Sequence, residues 1–256
     1  GFFLFWGKRK GSMMKRKNND RRLVWAVLGT LLAEGTICPA AQAAVQNQPL
    51  SVTKPGQTVT DDFNIENCTP AVVDIAASAA ADKNGVTRID TKSIIATFSN
   101  KGANGIWVHP DYPGTVKLAD GLHIRLDSDG WDYDISGIYL DGVNRNSDPK
   151  GNHDESVNAN EEYTANGNKI SDTKVVVGSG TSITLNAGLK ENVNRHRVFA
   201  VGLENHFGHM KVGNDVTLSV ATGKFNNNKN TTYGFYQVLY GDTTIGDRLT
   251  STVSST

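Results

Sequence analysis

The chain has 256 residues with 26 Lys/Arg and 26 Asp/Glu, so its formal net charge is zero and its length allows one or two domains. Eight of the basic and two of the acidic residues lie in positions 1–43, which leaves 18 basic against 24 acidic residues beyond them, a net charge of −6. A mildly acidic body argues against a nucleic-acid binder, which needs a basic face to neutralise phosphate.

The N-terminus reads as a targeting segment. Residues 1–13 (GFFLFWGKRKGSM) look like an upstream extension ahead of a start at Met14. From there, 14–43 has the three parts of a signal peptide. MKRKNNDRR is its basic region, Leu23–Ala33 its apolar run, and Ala41-Gln42-Ala43 its cleavage site, with cleavage predicted after Ala43. The apolar run is too short for a permanent membrane span. Arg21-Arg22 hints at twin-arginine export, but the flanking residues favour ordinary Sec export. Gly35-Thr36-Ile37 lacks the small residue usually found just ahead of a lipidated cysteine, so Cys38 is not read as a lipid anchor. Cleavage would leave Cys68 alone, with no intrachain disulfide, and a buried small hydrophobe is the expected role of such a cysteine. No later stretch has the length of a membrane helix.

Residues 44–100 form a polar, turn-rich, cap-like segment. Within it Ala71–Ala81 suits a short helix or a small-residue strand, and VTRID and SIIATF read as strands. Residues 101–256 are repetitive. TVKLADGLHIRL (115–126), KVVVGSGTSITL (174–185), MKVGNDVTLSV (210–220) and TTIGDRLTSTV (243–253) align with their turn residues at Ala119, Gly178, Gly213 and Gly246. These are 59, 35 and 33 positions apart, and removing the 25-residue polar insert 144–168 from the first interval leaves 34. A second phrase keeps step with the first: Gly105-Ile-Trp-Val, Gly137-Ile-Tyr-Leu, Gly202-Leu and Gly234-Phe-Tyr. A period in the thirties built from strands and turns signals a stacked repeat. One strand-only unit cannot bury its apolar face, whereas a stack of such units can. Equivalent strands would then pair in parallel, so Val216–Val220 would pair 33 or 35 residues away and not with the strand just before it. The glycines would mark corners needing positive φ or close backbone approach. An antiparallel β-sandwich is the alternative, although it does not require two phrases to recur in step.

These features together resemble the N-terminal passenger of a Gram-negative autotransporter of the type V secretion class. The residues that carry the likeness are the basic extended signal, the Ala-x-Ala site, the Cys-poor Asn/Gly/Thr-rich body and phrases such as KVGNDVTLSV, over roughly 14–256. The resemblance implies a right-handed parallel β-helix with a less regular N-terminal cap. It also implies export to the cell surface, the outer membrane or the medium, and a C-terminal β-barrel in the full-length protein. On this reading the chain is a fragment ending before that barrel.

Candidate chemistry is sparse. Asp127, Asp129, Asp132 and Asp134 gather carboxylates around Gly130, a calcium-like composition, but without the bidentate Glu that ends an EF-hand loop. A solvated acidic turn is the competing reading, and no other cofactor is expected. Gly178-Ser179-Gly180-Thr181-Ser182 is the nearest string to a serine-protease nucleophile, yet it falls in the turn of a repeat. His206-x-x-His209 lacks the helix that would bring both rings to one zinc ion. Trp107, Trp131, Tyr133, Tyr139, Tyr233, Phe235 and Tyr236 recur near the Gly phrases. An internal stack between repeats is the expected arrangement, and outward-facing rings would instead favour glycan contact. The expected function is a non-enzymatic surface passenger in adhesion or cell–cell contact, with host or bacterial protein or glycan as partner. The alternatives are a polysaccharide lyase or glycosidase, for which Arg125 and Arg145 flank the acidic run, and a structural stalk.

Overall fold

The computed structural model describes residues 43–68, 70–76, 85–98, 104–109, 112, 114–128, 133–140, 173–188, 198–206, 208–223, 230–237 and 242–255. The targeting segment up to Gln42, the insert 144–168, Asp129, Trp131 and Asp132 lie outside them. Every regular element among the described residues is a strand, so no helix there is long and apolar enough to cross a membrane.

The strands follow one another in threes. The first coil is β1 (Val45–Gln46), β2 (Leu50–Val52) and β3 (Thr58–Val59); the second is β4 (Asp62–Glu66), β5 (Ala71–Ile75) and β6 (Val86–Ile89). The third is β7 (Ser93–Phe98), β8 (Asn104–Val108) and β9 (Thr115–Leu118); the fourth is β10 (His123–Ser128), β11 (Tyr133–Leu140) and β12 (Lys174–Val177). The fifth is β13 (Ser182–Ala187), β14 (Val198–Asn205) and β15 (His209–Val212). The sixth is β16 (Thr217–Thr222), β17 (Asn230–Gln237) and β18 (Asp242–Ile245), and β19 (Thr250–Ser255) opens a further coil. Each strand pairs in parallel with its counterpart three elements away, which gives three sheets. Sheet A holds β1-β4-β7-β10-β13-β16-β19, sheet B holds β2-β5-β8-β11-β14-β17, and sheet C holds β3-β6-β9-β12-β15-β18. The molecule is a parallel β-solenoid, as the two repeating phrases predicted. Thr217 pairs with Ser182 on one side and Thr250 on the other, offsets of 35 and 33.

The segment 44–100 joins the same sheets. Its first three strands are only two or three residues long, which is its irregularity. Ala71–Ile75 resolves as a strand. The stack also extends below the four copies seen in sequence, since Asp90 and Thr60 follow the strand positions that pair toward Ala119.

The interior is built from alternation. In sheet A the column Phe63, Ile94, Ile124, Ile183 and Leu218 faces inward and is at most 1% exposed, while His123, Arg125 and their equivalents face out. Val59, Ile89, Leu118, Val177 and Val212 also face inward in sheet C, at most 7% exposed, and so do Val73, Ile106, Ile138 and Leu203 in sheet B. Each such side chain removed from water contributes about 1.5–3 kcal/mol before entropy is counted. The corner from sheet B to sheet C is closed by buried Asn205. Its Nδ2 donates to Gly208 O (3.1 Å) and Thr243 Oγ1 (2.9 Å), and its Oδ1 accepts from Gly208 N (3.2 Å).

Candidate functional site

The outward positions of sheet B carry the densest cluster of polar and aromatic chemistry among the described residues. Trp107 pairs in register with Asp74 on one side and Tyr139 on the other, Tyr139 with Glu204, and Glu204 with Tyr236. Each of the central three sits between inward neighbours: Ile106 and Val108, Ile138 and Leu140, Leu203 and Asn205, all fully buried. The row therefore lies on the outer face, and the rings stack between coils there instead of inside the solenoid.

Alternation is broken just before this row. Gly105, Gly137, Gly202 and Gly234 fall between paired positions, and a Cβ on Gly137 would lie 2.4 Å from Ile183 Cγ2 and 2.6 Å from Gly202 O. Gly137 and Ile138 thus both face the core, which sends Ser136 and Tyr139 outward together. This brings the Ser136 hydroxyl to Glu204, to which it donates a hydrogen bond.

At one end of the row His109 Nε2 lies 2.7 Å from Asp74 Oδ1, with both side chains about a quarter to a third exposed. Its ring stacks on Trp107 with centroids 4.1 Å apart, and Trp107 stacks on Tyr139 at 6.3 Å. At the other end His206 Nε2 approaches Glu204 Oε1 to 2.6 Å, and the imidazole meets Tyr139 and Tyr236 edge-on at 5.1 and 6.1 Å. Phe199, Tyr233 and Tyr236 continue the surface, Tyr233 stacked on Tyr236 at 5.1 Å. Tyr139 (3% exposed) and Glu204 (4%) form the floor, and Tyr233 is 39% exposed. Chemically this is an apolar platform edged by two carboxylate–imidazole pairs, able to offer ring faces to C–H groups and acceptors to hydroxyls. Asp74 and Glu204 stand three strands apart, about 14 Å at the usual strand spacing. That exceeds the ~5–9.5 Å that separates the two carboxyl groups of a glycosidase.

Of the residues picked out from sequence, Trp107, Tyr139, Tyr233, Tyr236 and His206 fall in this cluster, and the acidic, serine and cysteine candidates fall elsewhere. Asp127 accepts from Arg125 Nε (2.9 Å) and Asn186 Nδ2 (2.6 Å) on the outer face of sheet A, which uses both its oxygens. Asp134 belongs to β11 in sheet B, so the two acids sit on different sheets. Among the described residues no three metal-binding side chains come together. His206 and His209 are likewise divided between sheets B and C, His209 contacting Asp242 at 3.3 Å. The Gly178–Ser182 string is a corner. Ser179 N donates to Asp120 Oδ1 (2.7 Å) and Thr181 Oγ1 to Gly178 O (2.7 Å). Ser182 Oγ does meet His123 Nδ1 at 2.6 Å, but among the described residues no carboxylate orients that ring. Cys68 is buried, its thiol donating to Ala71 O (3.2 Å), and burial pushes its pKa up to about 11, so it stays a protonated core residue.

Neither Glu204 nor His109 stands out in the sequence, and His206 does so only as a partner of His209. The signal was present in the aligned phrases, two residues after each glycine: Trp107, Tyr139, Glu204 and Tyr236.

No family model, no curated protein and no solved structure matches this chain.

Proposed function

We propose that the chain is the exported, cell-surface passenger of a type V secretion protein, that it acts in adhesion or cell–cell contact without catalysis, and that it holds glycan on the outer face of sheet B. The observation that carries this reading is the outward row Trp107–Tyr139–Glu204–Tyr236 with its flanking Asp74–His109 and Glu204–His206 pairs. Three partly exposed rings, Trp107, Tyr233 and Tyr236, supply stacking surface along several coils, which suits a chain of sugars better than a single one. Export rests on the signal-like segment 14–43, and a C-terminal β-barrel belongs to the full-length protein in this reading. A complete reading frame without alternating barrel strands would rule out that secretion class.

Binding of the purified chain to a panel of neutral and acidic oligosaccharides tests the glycan reading. Trp107→Ala and Tyr236→Ala are each expected to weaken the best ligand five- to twenty-fold, about 1–2 kcal/mol, with melting curves showing the fold intact. Undiminished affinity in both variants would place the ligand elsewhere. The buried Glu204, hydrogen-bonded by Ser136 and approached by the His206 ring, keeps a polysaccharide-cleaving enzyme as a second reading. New reducing ends or unsaturated products released from a bound polysaccharide, and lost in Glu204→Gln, would favour that reading over adhesion.

A further inference from the structure

We infer that the outer face of sheet C is a second, separate binding surface, for a linear anionic polysaccharide. Arg88 of β6, Lys117 of β9 and Lys211 of β15 occupy one register row, with Val176 of β12 between the two lysines. Lys174 stands two residues before Val176 on the same face of β12. All four cations are exposed, and among the described residues none of them makes an ion pair. Four such cations on one sheet are a local excess in a chain whose body beyond position 43 carries a net charge of −6.

The row borders a shallow groove of about 410 Å³. The carboxylates that face it are Asp90 and Asp120 at the corner toward sheet A, and Asp242 at the far edge. Asp120 already accepts the Ser179 amide, and Asp242 contacts His209. Arg88, Lys117, Lys174 and Lys211 against Asp90, Asp120 and Asp242 leave the face with a net charge of +1, and no carboxylate holds one of these cations in an ion pair among the described residues, so they can attract an anion from outside the chain. The parallel stacking delivers them in a straight line along the solenoid, at one or two strand spacings, about 4.8 or 9.6 Å. An extended polymer with an anionic group on each or every second unit meets that line. Single-stranded nucleic acid would match the charge, but its binding surfaces add aromatic platforms for bases. The outward residues between these cations are Thr115 and Val176, and among the described residues the only ring nearby is the imidazole of His209.

The test uses the whole chain and three immobilised probes, a polyuronate, a sulfated polysaccharide and single-stranded DNA, with a neutral polysaccharide as blank. The chain is expected to retain an anionic polysaccharide and to lose it as salt rises, by release of counterions. The triple variant Arg88→Gln/Lys117→Gln/Lys211→Gln is expected to bind at least ten-fold more weakly and with a shallower salt dependence. The double variant Lys54→Gln/Lys92→Gln, which removes exposed charge elsewhere, is expected to stay within two-fold of the parent. Equal loss in the two variants would overturn the inference, since only net charge would then matter. So would undiminished binding by the triple variant, stronger retention on DNA than on either polysaccharide, or no retention at all.

Discussion

Two columns of the stack contain glycine for different reasons. In sheet B, Gly105, Gly137, Gly202 and Gly234 repeat in consecutive coils, and a Cβ on Gly105, Gly137 or Gly202 would lie 2.6 Å from the carbonyl oxygen of the next glycine. At the corner from sheet C to sheet A the stacked residues are Gly121, Gly180, Asp215 and Arg248, all with φ between 58° and 69°. There the constraint is torsional, and a Cβ on Gly121 would meet nothing within 4 Å. Space is not easily made in a close-packed stack, so glycine persists through these four coils and gives way to Val72 only in the coil below Gly105. A left-handed backbone costs an ordinary residue only about 1–2 kcal/mol, which other contacts can offset, so the second column changes to Asp and Arg.

The largest test of that contrast is Gly137→Ala. Its Cβ would meet Ile183 Cγ2 at 2.4 Å and Gly202 O at 2.6 Å, so backbone or core must move. A loss of about 2–3 kcal/mol is expected. For a domain of this size that lowers the melting temperature by roughly 4–12 °C. Unchanged melting would mean that sheets A and B can separate locally at no cost. Gly180→Ala is expected to cost less, about 1–2 kcal/mol, because only its φ of 67° is unfavourable and its nearest foreign atom is 3.9 Å away. A cost equal to that of Gly137→Ala would erase the distinction between space and torsion.

The contrast also explains what the sequence made legible. The sheet B glycines and the corner residues Ala119, Gly178, Gly213 and Gly246 recur in step, so the stacking, the parallel pairing and the sheet B strands are legible in residues 105–253. The earlier coils escaped because their corner positions are Thr60 and Asp90, without a glycine to align. VTRID and SIIATF were recognisable as strands, but not as a repeat. The aromatic residues of the site were visible, but their direction was not. One glycine per strand adds an inward residue, so simple alternation does not show that Ser136 and Tyr139 emerge on the same side. The acids drawing notice were clustered in sequence, at 127–134, whereas the pairs that form are 35 residues apart for Asp74–His109 and 68 apart for Ser136–Glu204. Local spacing cannot show a contact that exists only between coils.

The smallest expected effect concerns how the second column dispenses with glycine. Arg248 donates through Nε and Nη2 to Asp215 one coil below, the Nη2 bond being 2.6 Å. The guanidinium holds the Asp215 carboxyl below the usual carboxylate range. A folded pKa below the unfolded one, near 3.9, gives stability that is complete above that value and fades as pH falls through the lower folded pKa. Both side chains are exposed to solvent, so the effect is small and screened by salt. Arg248→Gln keeps a side chain in the left-handed position and removes only the charge. It is expected to melt slightly below the parent at pH 7 and low salt, with the gap closing below about pH 4 or in 1 M salt. A gap that persists undiminished in 1 M salt would show that the ion pair does not compensate this corner. The burden would then pass to the neutral bond that Asp247 N donates to Asn214 Oδ1 (2.9 Å), which ties the same two coils together without charge.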